Sequence, residues 1–217
     1  MGAVGSVTDV KGSWKVPAVA GASGSVCSDK QRTWESASVW VGIDGLSSPT
    51  VEQTGTSSDC FYGQLFYYAW YEFYPAGSVK INSLTIHPGD TMMAEVSYSG
   101  GTFTAMITDV TTGASYTSPA TAVPAAQMNS AEWVVEAPYY YGFLGLTKVT
   151  SVTFTGATAT IGGVTNSISG WSPNDIWLLM VDFNWPFVST SFYVKDISSA
   201  LGAGGNNFNA KWVSSGP

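Results

Sequence analysis

Leu65-Phe66-Tyr67-Tyr68-Ala69-Trp70-Tyr71-Glu72-Phe73-Tyr74 is dominated by aromatic side chains, the types that suit a pleated, half-buried strand. Read with a period of two from Gln64, it sets Gln64, Phe66, Tyr68, Trp70, Glu72 and Tyr74 on one face. Leu65, Tyr67, Ala69, Tyr71 and Phe73 fall on the other. The first face is the more polar, and an aromatic-lined sheet surface bearing one carboxylate suits a substrate groove. The competing use of such aromatics is to fill a core.

The same period recurs along the chain. Ser38–Ile43, Thr91–Tyr98, Thr102–Val110, Trp133–Ala137, Val149–Thr155, Trp177–Phe183, Ser191–Lys195 and Phe208–Val213 are rich in Val, Thr, Ile and aromatics. Turn signals bound them: Ser99-Gly100-Gly101, Thr111-Thr112-Gly113, His87-Pro88-Gly89-Asp90 and Gly162-Gly163. No long helical period is visible. Many short strands joined by hairpin turns predict an all-β fold, a sandwich of two antiparallel sheets. No Pro-rich, charge-rich or Gly/Ser-only stretch divides the 217 residues, so residues 1–217 are expected to form a single domain.

Charged residues make up only 11% of the chain against 45% hydrophobic, well below the roughly 25% usual for soluble domains, so ion pairs contribute little to this fold. Fifteen acidic against eight basic residues give a net charge of -7. That excludes nucleic acid as an expected partner, since binding it requires a cationic surface. Few basic groups also limit the charge repulsion that drives acid unfolding, which suits an acidic medium. No run of 18 apolar residues occurs, and no membrane partner is expected. Met1-Gly2-Ala3-Val4-Gly5 lacks the basic and apolar regions of a secretory leader, so secretion into an acidic extracellular medium is inferred from composition. A monomer is expected.

The two cysteines, Cys27 and Cys60, read as loop residues, and the sole histidine, His87, cannot complete a zinc site with them. A Cys27–Cys60 disulfide is therefore expected. A loop of that length would restrict the unfolded chain by roughly 3 to 4 kcal/mol. No metal or cofactor site is expected.

Several hydrolytic solutions are absent: no Asp-Thr/Ser-Gly pair, no His-Glu-x-x-His, no Gly-x-Ser-x-Gly. His87 sits in a turn-like setting. Four blocks remain: Trp40-Val41-Gly42-Ile43-Asp44-Gly45, Val51-Glu52-Gln53-Thr54-Gly55, Ala69-Trp70-Tyr71-Glu72-Phe73-Tyr74-Pro75 and Ala131-Glu132-Trp133-Val134-Val135-Glu136. In this order, and from about Gly12 onward, they resemble the glutamic peptidases (eqolisins, peptidase family G1), and the chain looks closer to a bacterial or archaeal type than to fungal members. The resemblance implies a jelly-roll, concanavalin-like sandwich and acid-acting endopeptidase activity on proteins or peptides. It also implies a catalytic dyad: Glu136 moves protons for a water nucleophile, while Gln53 orients the water and stabilises the oxyanion. Trp40, Asp44, Trp70, Tyr71 and Glu72 match site-lining or site-supporting positions, although Asp44 before Gly45 also reads as a turn former. The chain departs from the family in lacking an Asn-Trp-Ser/Ala-Gly first strand, which puts outer subsites and one sheet edge in doubt.

Alternation places Glu132, Val134 and Glu136 on one face, with Trp133 and Val135 opposite, and Ala137-Pro138 ends the strand just after Glu136. Two rival readings use the same scaffold. One is a glycoside hydrolase with Glu72 and Glu136 as its paired carboxylates. The other is a lectin-like module without catalysis.

Overall fold

The computed structural model describes residues 3–19, 34–138, 144–171 and 196–213. Fourteen strands are found among them: β1 (Val7–Lys15), β2 (Trp34–Asp44), β3 (Val51–Phe61), β4 (Gln64–Tyr74), β5 (Val79–Ile81), β6 (Thr91–Ser99), β7 (Thr102–Asp109), β8 (Ala114–Thr117), β9 (Ala131–Glu136), β10 (Gly145–Leu146), β11 (Val152–Ile161), β12 (Val164–Ser167), β13 (Asp196–Ser198) and β14 (Phe208–Trp212). They form two sheets. One has the order β13-β14-β11-β1-β6-β7-β8, with β12 added beside β11; the other has β10-β2-β3-β4-β5, with β9 also on β2. Pairing is antiparallel throughout except for the short parallel contact of β10 with β2. No helix among the described residues is long and apolar enough to cross a membrane.

Alternation explains the packing. Val39, Val41 and Ile43 of β2, Ala69 and Phe73 of β4, and Val135 of β9 point inward. There they meet Val10 and Trp14 of β1, Met92, Ala94 and Val96 of β6, Phe103, Ala105 and Ile107 of β7, and Phe154 of β11 in one buried cluster. Each large side chain fully removed from water in this layer contributes about 1.5 to 3 kcal/mol. Two indole bonds tie the sheets at defined points: Trp14 Nε1 donates to Thr56 Oγ1 at 3.0 Å, and Trp133 Nε1 to the Lys11 carbonyl at 2.7 Å.

The strands read from periodicity at Ser38–Ile43, Leu65–Tyr74, Thr91–Tyr98, Thr102–Val110, Trp133–Ala137 and Phe208–Val213 lie within a residue or two of β2, β4, β6, β7, β9 and β14, β2 extending further at its start. The strand expected at Val149–Thr155 begins later and runs on to Ile161. Trp177–Phe183 and Ser191–Lys195 lie outside the described residues. The Gly100-Gly101 turn has φ of 59° and 88°, the left-handed pair a two-residue hairpin requires.

The sequence reading missed β3, whose Gln-Thr-Gly-Thr-Ser-Ser-Asp run looks like a loop. In the structure it is the central strand of its sheet, buried on both faces. Its hydroxyls are paired: Ser57 Oγ with Ser38 Oγ at 2.8 Å, Thr54 Oγ1 to the Trp70 carbonyl at 2.8 Å, and Thr56 with Trp14. Paired hydroxyls remove the penalty that would otherwise bar such a strand from the interior. Cys60, expected in a loop, is a buried residue of this strand. Its expected partner Cys27 lies outside the described residues.

Candidate active site

Cross-strand register assembles the site on the face of the six-stranded sheet that turns away from the core. Glu132, Gly42, Gln53 and Glu72 stand opposite one another across β9, β2, β3 and β4. Two residues along comes a row of Val134, Trp40, Gly55 and Trp70, and two further a row of Glu136, Ser38, Ser57 and Tyr68. Directly opposed residues share a face, so Gln53, Glu136, Trp40, Trp70 and Glu72 all belong to one surface. Tyr71 does not. It lies on the opposite face of β4, packed on the core and stacked on Tyr116 at 5.9 Å between ring centroids, because an odd-numbered step along a strand reverses direction.

Two glycines give Trp40 its place. A Cβ on Gly55 would come within 2.6 Å of Trp40 Cβ, and one on Gly42 within 2.9 Å of Trp40 Cζ3. The indole therefore lies across the backbone where side chains are missing. Its Nε1 donates to Glu136 Oε1 at 3.1 Å, while its other edge lies over Gly42, beside the Gln53 Cβ. Trp40 thus bridges the rows of the two expected dyad residues. Gln53 is buried, and its Nε2 donates to Glu72 Oε2 at 2.7 Å. An amide nitrogen carries two hydrogens, so one remains, and the buried Gln53 Oε1 has no hydrogen-bond partner. The Trp70 Nε1 is a second buried group without a partner on this face. Buried polar atoms are rarely left this way.

Burial raises the ionisation of the carboxyls on this face. Burial pushes Glu136 up to about 7; the Trp40 N–H bond opposes this and the Glu72 charge adds to it. Burial also raises Glu72, against the Gln53 amide and a backbone bond from Ser78. Glu132 rises to about 7 through burial, offset by Ser130 and the Leu46 backbone and reinforced by Glu136 and Asp44. A carboxyl with its ionisation moved into this range is a stronger base when ionised and an available acid when protonated.

Asp44 closes β2 with φ of 66°. Its Oδ2 accepts from the Gln127 and Met128 backbone N–H groups, both at 2.8 Å, and its Oδ1 from Asn129 at 2.9 Å. It thereby fastens the segment that leads into β9 and fixes the strand carrying Glu136. His87 is exposed in its turn, 3.4 Å from Asp90, far in sequence and setting from these rows. Among the described residues no group of three or more His, Cys, Asp or Glu could hold a metal ion.

Sequence reasoning passed over Asp59 and Glu52. Asp59 lies on the site face and accepts from Ser36 Oγ at 2.5 Å, Tyr68 OH at 3.0 Å and Trp34 Nε1 at 3.4 Å. Counting by twos from Gln53 would have found it, had β3 been recognised as a strand. Glu52 points the other way, into the core, with neither carboxyl oxygen hydrogen-bonded.

The profile of the Peptidase A4 family matches residues 2–181. The chain is 36% identical to Aspergillopepsin-2 of Aspergillus niger over 185 residues, which span 78% of this chain and 65% of that protein. The fold is similar to that of aspergilloglutamic peptidase from Aspergillus niger, with 29% identity, a TM-score of 0.68 and coverage of 82% of this chain and 99% of that one. It is also similar to scytalido-glutamic peptidase solved with a transition state analog inhibitor, at 22% identity, a TM-score of 0.72 and coverage of 98% and 95%. The last likeness is one of fold.

Proposed function

The chain belongs to the Peptidase A4 family, and from that premise we propose that it is an acid-acting glutamic endopeptidase working through Gln53 and Glu136. The observation that carries this reading is that Glu136, held by Trp40, shares a sheet face with the amide of Gln53, whose carbonyl oxygen is buried and unpartnered. In the proposed cycle a water donates one hydrogen bond to Gln53 Oε1 and one to ionised Glu136. Glu136 takes the water proton as the water oxygen attacks the scissile carbonyl carbon. The remaining Gln53 N–H stabilises the oxyanion, while Glu72 holds the amide in that orientation. Glu136 then returns its proton to the nitrogen as the C–N bond breaks, which restores the carboxylate. Gln53 has no charge to titrate, so all proton traffic runs through Glu136.

We further propose that the protein acts outside the cell in an acidic medium, as a monomer on protein or peptide substrates, without a cofactor and with no nucleic-acid or membrane partner. A Cys27–Cys60 bridge belongs to the same reading; it is supported by the finding that no cysteine among the described residues is free. Family membership favours peptide hydrolysis over the glycosidase that Glu72 and Glu136 would otherwise suggest.

The test is incubation of wild type, Glu136→Gln and Gln53→Ala with denatured protein at several acidic pH values, with intact-mass analysis of products. Glu136→Gln should abolish cleavage, and Gln53→Ala should lower it by about 10²- to 10³-fold, as for other oxyanion donors. Full activity in either variant, with circular dichroism confirming the fold, would refute the dyad.

A further inference from the structure

Beyond the row of Glu136 and Tyr68, the same sheet face changes character. Asp59 pairs with Phe66 and Trp34 with Phe61, both on the site side of the sheet. Phe61 and Phe66 are each 41% exposed, and Tyr62 in the adjoining turn is 54% exposed. Three of the rings form a contiguous group, Trp34 and Phe61 lying 5.7 Å apart edge to face and Phe61 and Tyr62 4.4 Å apart; Phe66 stands opposite Asp59 on the same face, one row from the Phe61–Gln64 pair. Tyr62 occupies φ of 48°, the left-handed region where a tight hairpin favours Asn or Gly. A large aromatic is retained there against that preference. Beneath the group, Asp59 fixes the indole of Trp34 and the hydroxyl of Tyr68 together, so the aromatic floor is rigid and continuous with the catalytic rows. Contiguous exposed apolar surface of this kind marks a binding site more often than it marks bare surface.

We propose that Phe61, Phe66 and Tyr62 form an outer subsite that takes a large apolar side chain of the substrate peptide, remote from the bond that is cut. This rests on the peptidase reading. The occupant follows from continuity: a chain lying over the Trp40–Gly55–Trp70 row along β3 runs directly onto this patch. Gly55 and Asp59 are four positions apart along one strand, about 13 Å at the rise of an extended chain. An extended substrate parallel to β3 therefore brings about its fourth residue from the reacting bond over Phe66 and Phe61.

The experiment uses the full chain and a quenched fluorescent peptide series in which single positions up to six from the cleaved bond are varied between Leu, Phe and Gly. Wild type should prefer Leu or Phe over Gly at one outer position, about four residues from the cut, by roughly tenfold in kcat/KM, the size expected of one apolar pocket. The double variant Phe61→Ser/Phe66→Ser should lose that preference, its kcat/KM no longer distinguishing Leu or Phe from Gly at that position. Truncation of the peptide short of that position should slow wild type and leave the variant unchanged. Retention of the preference in the variant, or no outer preference in wild type, overturns the subsite while leaving the peptidase intact. Absence of any cleavage by wild type overturns the peptidase reading and the subsite with it. If sedimentation instead shows a dimer that the double variant dissociates, with the preference unchanged, the patch belongs to a second copy of the chain and the proposal fails.

Discussion

Replacing Glu52 with Gln should remove one separable share of the pH dependence of this protein's stability, to which Glu132, Glu136 and Asp196 also contribute. Glu52 is fully buried on the core side of β3, in a row with Ile43 and Phe73. Neither oxygen has a hydrogen-bond partner. Burial raises its ionisation from 4.5 to about 8, with the Asp44 charge adding to the shift and nearby Thr50 offsetting part of it. In the unfolded chain the group returns to its ordinary value. Its folded value is raised, so the stability that comes from keeping it neutral is fully present below about pH 4.5, declines as pH rises, and is lost by about pH 8. One pH unit corresponds to about 1.4 kcal/mol, so between pH 4.5 and 7 this one side chain should withdraw roughly 3 kcal/mol from a fold whose total is of order 5 to 15.

Gln has the same shape and cannot ionise. Its buried amide will itself lack partners and cost about 1 to 3 kcal/mol at every pH, so the informative quantity is the slope rather than the offset. Urea unfolding of wild type and Glu52→Gln at pH 4.5, 5.5, 6.5 and 7 measures it. The variant should start less stable and gain on wild type by roughly 3 kcal/mol across that range. Parallel stability profiles would show that Glu52 does not stay neutral in the fold, and the reasoning would fail.

Gly55→Ala should destabilise the sheet and displace Trp40, because the added carbon would run into the Val39 carbonyl oxygen and come within 2.6 Å of Trp40 Cβ; a drop of several kcal/mol in unfolding free energy, or an indole fluorescence shift with lost activity, checks this. Thiol titration of the unfolded, unreduced protein should find no reactive cysteine, and two reactive thiols would eliminate the Cys27–Cys60 bridge.

The fold class was legible because a half-buried strand writes its period into the sequence, as β4, β6 and β7 do. β3 was not legible, since a strand buried on both faces loses alternation, and here burial is made tolerable by hydroxyl pairs such as Ser38 with Ser57, which only pairing partners reveal. The candidate site residues came from resemblance, and their geometry was not legible in the sequence. Nothing in the spacing of Trp40, Gly42 and Gly55 says that two glycines clear a bed for an indole that then holds Glu136. Tyr71 shows the converse. It sits beside Glu72 in the same motif, yet one step along a strand places it in the core.

The pattern of charge connects stability to chemistry. A chain with 11% charged residues places several carboxyls, Glu52, Glu132 and Glu136 among them, where burial holds them neutral in acid. In the proposed cycle Glu136 must lose its proton to act as a base, which favours rising pH; an ordinary Glu is half-ionised at about 4.3, and burial moves Glu136 up to about 7. Glu52 and Glu132 must keep their protons for the fold to stay intact, which favours falling pH. The two demands oppose each other: with ionisations at about 7 and 8, the free protein ionises Glu136 only as pH nears neutrality, where the fold is already losing the stability that a neutral Glu52 supplies. Protonation of Glu72 shifts the balance further toward acid, since it removes the charge that opposes ionisation of Glu136. An acidic working range for the proposed mechanism therefore requires the ionisation of Glu136 to fall once substrate is bound, through the charge lost from Glu72 and through hydrogen bonds donated to its carboxylate; the dry surroundings alone hold Glu136 protonated in acid.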